Sequence, residues 1–251
     1  MRKEHIGHDL DDVAATLAHR DILLKKPFLK KLYEEWYGGF LKRLKEAPEG
    51  DTVEIGSGGG FLKDMAPFVI TSDIQDIPHC DKTFAAEELP FAPGTLNGIF
   101  MLNVLHHIPN VDAFLEKARE TLKRDGIIYM VEPATTLWSR WVYTRLHHEP
   151  FDPSAKTWTF PSSGPMSGAN GALPWIIFNR DRKLFEEKYP TLTIERISLS
   201  TPFRYLMSGG FSYKSLVPHS TFRLFTLAEA LGKPLFPWLA MFQMIVIRKN
   251  A

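Results

Sequence analysis

His147, His148 and Glu149 stand in a row just before Pro150. In such a run one histidine can take a proton, with His148 favoured because it adjoins the carboxylate, while Glu149 orients it or binds a hydroxyl. A second pair, His106 and His107, lies upstream. Adjacent histidines on a helix point in different directions, and no third ligand recurs at metal spacing, so the sequence assigns no metal. His107 is then a further acid/base candidate. Two acids carry a different signal: Glu54 lies at the end of the short β-favouring run DTVEI, one residue before its last, and Asp73 ends FVITSD. Between them, Gly56 to Gly60 read GSGGG, a cluster that lets a backbone turn sharply and press against a ligand.

Three ligand classes compete for that loop. A Walker-type phosphate loop needs Gly-Lys followed by Ser or Thr, whereas Gly60 is followed by Phe61 and Leu62. A dinucleotide fingerprint wants a third small residue where Phe61 stands, which weakens the case for a nicotinamide-dependent oxidoreductase. Glu54 is the distinguishing residue, because a carboxylate at the end of the first strand repels a pyrophosphate and attracts an ammonium group. Asp73 lies 17 residues after Gly56, where a carboxylate accepts hydrogen bonds from ribose hydroxyls. A ribose with an amino acid end and no phosphate is S-adenosylmethionine.

The elements that must position these groups are legible as patterns. Residues 10–47 read as helical, with Phe28, Leu29, Leu32, Tyr33, Trp36 and Phe40 on one face, and Pro27 and Gly38-Gly39 are expected to break the run. From 51 to 133, the strands DTVEI, FVITSD, NGIFMLN and GIIYMVE alternate with helical segments. One of these, marked by Val111, Phe114, Leu115, Ala118 and Leu122, is capped by Asn110. That alternation predicts a parallel sheet covered on both faces. Residues 148–180 hold five prolines and three glycines and read as an irregular functional segment. A helix in RDRKLFEEKY and strands in TLTIERISLS and MFQMIVIRK follow, with an insertion at 201–238 between the last two strands. The expected organisation is an N-terminal helical segment, 1–50, and a domain, 51–251, with cap insertions at 134–180 and 201–238. Trp138, Trp141, Trp158 and Trp175 are candidates for an acceptor-binding wall.

Composition bounds the partners. Thirty basic against 29 acidic residues leave a net charge of +1, which implies no general attraction to nucleic acid. Cys80 is the only cysteine, which excludes an intramolecular disulfide or a cysteine zinc cluster and fits a reducing, cytoplasmic setting. MRKEHIGHDLDD is too polar for a signal peptide, and the apolar run Pro234 to Ile247 is too short to span a bilayer. Lys25, Lys26, Lys30 and Lys31 read as a solvated helix face interrupted by Glu34 and Glu35, rather than a membrane-lying one.

Four stretches resemble the class I S-adenosylmethionine-dependent methyltransferases of the small-molecule group: VEIGSGGG (53–60), TSD (71–73), AAEELPFAPGTLNGIFMLNVLHHIPN (85–110) and ARETLKRDGIIYMVEP (118–133). The resemblance implies a Rossmann-like, mostly parallel seven-stranded sheet with helices on both faces. It implies that Glu54, with Gly56, Ser57, Gly58 and Gly60, holds the methionine part, and that Asp73 holds the ribose. Ile74 would flank the adenine, the amides of Ala86 and Glu87 would read its edge, and Asn103 and Val104 would close the methionine side. Two positions depart from the pattern: Ala85 stands where the family usually has an acid, and Asn97 where it usually has Asp. The expected function is methyl transfer to a medium-to-large small-molecule or glycan/lipid-type acceptor. The alternative, motivated by the two departures, is a catalytically silent binding protein of the same fold.

Overall fold

The structure, a computed structural model, describes residues 11–147, 149–161, 164 and 168–250. Two helices lead the chain, α1 (Val13–Lys25) and α2 (Pro27–Leu44). Then come β1 (Asp51–Ile55), α3 (Leu62–Met65), β2 (Ile70–Asp73), β3 (Lys82–Thr83), β4 (Leu96–Leu102), α4 (Val111–Thr121), β5 (Leu122–Pro133) and α5 (Leu137–Leu146). The last part holds α6 (Leu173–Trp175), α7 (Arg182–Lys188), β6 (Leu192–Ser200), α8 (Arg204–Ser208), α9 (Phe222–Leu231), α10 (Phe236–Leu239) and β7 (Phe242–Lys249).

The seven strands form one sheet in the order β3-β2-β1-β4-β5-β7-β6, parallel except for β7, which runs antiparallel to both its neighbours. Because successive strand residues point to opposite faces, each central strand feeds two cores. Ile99, Met101, Ile128 and Met130 pack on the side of α4 and α7, with Phe114, Leu115 and Phe185. Phe100, Tyr129 and Val131 pack on the side of α2 and α5, with Phe40, Tyr37 and Val142. The sheet is therefore the two-faced, Rossmann-like one expected, and the carboxyl ends of β1, β2, β4 and β5 share one edge, where open α/β sheets bind ligands.

Local chemistry explains the boundaries. Pro27 at the first helical position starts α2 with its fixed φ and no wasted donor. The Asn110 side chain caps α4 by accepting from the Ala113 N–H at 3.1 Å. Thr136 and Ser139 form a reciprocal capping box at the start of α5.

Three expectations need correction. α2 runs unbroken through Gly38-Gly39; Gly39 instead lets the helix lie close to the sheet, since a Cβ there would stand 2.5 Å from the Tyr129 hydroxyl. The stretch 148–180 is not irregular throughout. Leu173–Trp175 is helical and continues as a π-helical turn, Ile176–Arg180, burying Leu173, Ile176, Ile177 and Phe178. Its apolar residues look alike from every direction, so no period announces the helix. Lys26 is not on a solvated face: it is buried and donates to the carbonyls of Gly210 (2.8 Å) and Tyr213 (2.5 Å), tying the α1–α2 junction to the insertion after β6. The two-residue edge strand β3 carries too little pattern to be read.

Candidate functional site

A cavity of about 420 Å³ opens at the carboxyl edge of the sheet, and every predicted cofactor-binding or acid/base residue that the structure describes lines it. Trp138, Trp141, Trp158 and Trp175, the expected acceptor wall, do not: Trp158 is buried with its indole N–H on Asp181, and Trp141 is half-exposed. His148 lies outside the described residues. One half of the wall comes from strand ends. Glu54 is next to last in β1, Asp73 closes β2, and Asn103 and Val104 follow β4.

The glycine loop takes conformations its residue types allow. Gly56 has φ +68°, and a Cβ there would run into Val104; Gly58 has φ +23°, and a Cβ would sit 3.1 Å from Asp73 Oδ2 and from Thr16 Cγ2. The Gly58 N–H donates to Asp73 Oδ2 at 3.0 Å, while Asp73 Oδ1 accepts from the Gln75 N–H at 3.0 Å. Burial raises the Asp73 carboxyl above its usual range. Ser57 plays a fastening part: its N–H donates to the Ser72 carbonyl at 2.8 Å, and its hydroxyl accepts from the Ser72 N–H at 3.2 Å.

Glu54 is 2% exposed, and its Oε2 has no hydrogen-bond partner. Burial above all, with the charge of Asp73 adding, lifts its carboxyl to about 7. A buried, unpartnered carboxylate oxygen is costly by itself. Further along, Ile74 lines the cavity half-exposed, and Ala86 and Glu87 line it beside Phe84 and Ile108. The Glu87 carboxylate also accepts from the Asn110 N–H at 3.3 Å. Asn97 lies off this wall: it accepts from the Thr52 hydroxyl at 2.7 Å and donates to the Pro48 carbonyl at 2.9 Å, a fastening role at the far end of β4.

The other half holds the histidines. His106 is buried between two acids, with Nδ1 2.6 Å from Glu132 Oε2 and Nε2 3.4 Å from Glu149 Oε2. Burial alone would lower its pKa, but Glu132 and Glu149 prevail and raise it to about 10. His107 donates from Nδ1 to the Gly168 carbonyl at 3.0 Å, which sets its tautomer and leaves Nε2 facing Glu149 Oε1 at 3.7 Å. Burial, then the charge on His106, pushes His107 down to about 4. Against its own burial, Glu149 is held well below the usual carboxylate range by His106 first and then His107 and His147. His147 accepts the Glu149 N–H at Nδ1, at 3.3 Å.

Contrary to expectation, His106 and His107, on a single 3₁₀ turn, both face Glu149. Ligand atoms of the three lie within 4.8 Å of one another, so the set has the make-up of a metal site. Its members are also mutually satisfied as an ion-pair chain without one.

Sequence reasoning missed several residues of the site. Glu132 is buried behind the wall, next to last in β5 as Glu54 is in β1, and the same rule would have found it: besides His106 it accepts the N–H groups of Val104 and Leu105, at 2.9 and 2.8 Å. Thr16, His19, Tyr33 and Tyr37 reach the cavity from α1 and α2, and Tyr143, Tyr205 and Phe211 from α5 and the insertion after β6. In the sequence these pass for core and surface residues.

Sheet order, antiparallel last strand and a glycine-lined cavity floored by acids define the fold of class I S-adenosylmethionine-dependent methyltransferases. The methyltransferase domain family matches residues 28–164, more than half of the chain, and the chain belongs to that family, as an S-adenosylmethionine-dependent methyltransferase. The chain is similar in fold to a SAM-dependent methyltransferase from Archaeoglobus fulgidus, at 16% identity over 86% of this chain and 94% of that one, with a TM-score of 0.51. It is similar also to the YcgJ protein from Bacillus subtilis, at 13% identity over 87% and 99%, with a TM-score of 0.52. No curated protein matches the chain.

Proposed function

We propose that the protein moves the methyl group of S-adenosylmethionine to a hydroxyl of a medium-to-large small-molecule or glycan/lipid-type acceptor. The observation that carries the donor half is the unpartnered Glu54 Oε2, buried in the wall of a glycine-lined cavity. An ammonium group is the ligand that relieves it, and S-adenosylmethionine ends in one. The cavity size is within the range of small-molecule sites, about 300 to 1,000 Å³. In this reading Glu54 binds the ammonium, and the loop Gly56, Ser57, Gly58 and Gly60 lies along the methionine part. Each Asp73 oxygen keeps a second lone pair for a ribose hydroxyl. Ile74 offers the adenine an apolar face, the amides of Ala86 and Glu87 read its edge, and Asn103 and Val104 close the methionine side.

The bound cofactor supplies an electrophilic methyl carbon; the chain supplies alignment, exclusion of water and a place for the acceptor proton. Segments 134–180 and 201–238 form the cap that does the excluding, because both contribute wall residues opposite the strand ends. His107 takes the proton: it is uncharged at neutral pH, its Nε2 faces the cavity side of Glu149, and the ionised Glu149 stabilises the imidazolium as it forms. His147, beside the same carboxylate, is the second candidate.

Calorimetry tests the donor assignment. S-adenosylmethionine and S-adenosylhomocysteine should bind with one-to-one stoichiometry and nicotinamide dinucleotides should not; the reverse pattern would sink it. Screening hydroxyl-bearing acceptors with methyl-labelled cofactor then identifies the product.

A further inference from the structure

The cap carries a surface that methyl transfer does not use. Leu224, Leu227 and Leu231 recur on one face of α9, Leu235 and Trp238 follow in the turn and α10, and α10 packs against α5, which presents Leu137 and Trp141. Exposure of these side chains runs from 49% at Trp141 to 76% at Leu231. Soluble proteins rarely leave so many large apolar side chains together in water. The charges on these elements are mostly of one sign: Arg140, Arg145, Arg223 and Lys233 are exposed, residues 137–146 contain no acid, and Glu35, which comes to α9 beside Thr226, is engaged by Arg204 at 2.6 Å. The only acid in 201–239, Glu229, is buried and bound by Arg204 at 2.6 Å. For a chain of net charge +1 this is a local concentration.

We propose that this face, formed by α5, α9 and α10, seats the enzyme on an anionic lipid bilayer, and that the acceptor reaches the cavity from that surface. The second clause rests on the methyltransferase reading given above. Leucine and tryptophan with a surround of lysine and arginine suit the headgroup boundary, where apolar side chains enter the acyl layer and cations meet lipid phosphates. No helix among the described residues is long and apolar enough to cross a membrane, so the mode is lying on the surface. A second copy of the chain fits less well, because a two-fold contact would bring the cations of one copy against those of the other. The face is continuous with the site: α5 and the insertion after β6 also supply Tyr143, Tyr205 and Phe211 to the cavity wall.

The test is co-sedimentation of the full chain with phosphatidylcholine vesicles, alone or mixed with phosphatidylglycerol. The chain should prefer the mixed vesicles by about tenfold or more, and added salt should weaken that preference. The double variant Leu224→Glu/Leu231→Glu should partition at least about tenfold less, while its S-adenosylhomocysteine affinity stays within about twofold of wild type. Equal partitioning of wild type and variant, or none by either, overturns the proposal. So does a wild-type dimer in light scattering that the variant abolishes, because the occupant is then a second copy. Vesicle binding without S-adenosylhomocysteine binding would leave the docking face standing and remove the methyltransferase reading; the opposite result would do the reverse.

Discussion

The two halves of the cavity are built differently. The half proposed to take the donor is a row of strand ends: Glu54 and Asp73 lie at the ends of β1 and β2 and Asn103 follows β4, three hydrogen-bonded neighbours with buried faces. The half proposed to take the acceptor is gathered from a 3₁₀ turn, the end of β5, the segment after α5 and the insertion after β6, held together by side chains such as Glu149, His106 and Lys26. A row of strand ends inherits its geometry from the sheet ladder. A gathered wall inherits it from pairings between residues far apart in the chain, so it can change acceptor without disturbing the donor site.

The largest expected effect breaks the donor half alone. Gly58→Val places a branched side chain at φ +23° against Asp73 and Thr16, and S-adenosylhomocysteine binding should fall below detection in calorimetry. Far-UV dichroism should stay close to wild type; retained binding would mean that the cofactor lies elsewhere.

The next breaks the acceptor half alone. His107→Ala should lower turnover on the identified acceptor by about 10² to 10⁴, the usual worth of a general base, with donor affinity changed only a few-fold. If that variant turns over normally and His147→Ala does not, the proton goes to His147; if both are normal, His148 becomes the candidate, and only normal turnover by its alanine variant too would make the cluster structural.

Asp73→Ala is the milder donor variant. Losing a charge-assisted pair of hydrogen bonds, about 1.5 to 3 kcal/mol, should weaken S-adenosylmethionine by at least about tenfold, and unchanged affinity in calorimetry would refute the ribose assignment.

Glu54 gives the comparison a pH axis. Its carboxyl is raised to about 7 from an unperturbed 4.5, so the ligand-free folded state holds this proton more tightly than the unfolded chain. The stability that group contributes is full below pH 4.5 and is lost as pH rises through about 7. Binding an ammonium needs the ionised form, so donor affinity should rise by about tenfold between about pH 6 and pH 8 while the Tm of the ligand-free protein declines. Glu54→Gln should flatten both trends; an affinity that stays level with pH in wild type would remove Glu54 from the ammonium.

The same contrast explains what the sequence made legible. Strands, sheet class and the strand-end residues that line the cavity could be read because each lies within a few residues of its signal: an acid near the end of a β-favouring run, glycines soon after it. The Glu132–His106–Glu149 chain could not, because its three members sit on separate elements and only the folded sheet edge brings Glu149 to the histidines. Tyr37 and Tyr143 look like core aromatics in the sequence and are buried as such, yet the same residues form part of the cavity wall. The continuous α2 and the π-helical turn escape sequence reading for a local reason, since Gly38-Gly39 and Pro174 are ordinarily breakers, whereas here Gly39 serves close packing and Pro174 a helix start.

The smallest expected effect on function concerns Asn97, whose departure from the family pattern raised the idea of a silent protein. Its amide spans Thr52 and Pro48, away from the cavity wall, so the function of this residue is to join β4 to β1 and to the turn before β1. Asn97→Asp restores the usual residue type but exchanges the donor facing the Pro48 carbonyl for an acceptor. One hydrogen bond is lost and two oxygens are left facing each other in a buried position, a change of about 1 to 3 kcal/mol. Thermal unfolding should therefore register the substitution as a lower Tm, whereas donor affinity and turnover should match wild type. A gain in cofactor affinity would show instead that this end of β4 communicates with the cavity, and that the donor half is less self-contained than its strand-end construction implies.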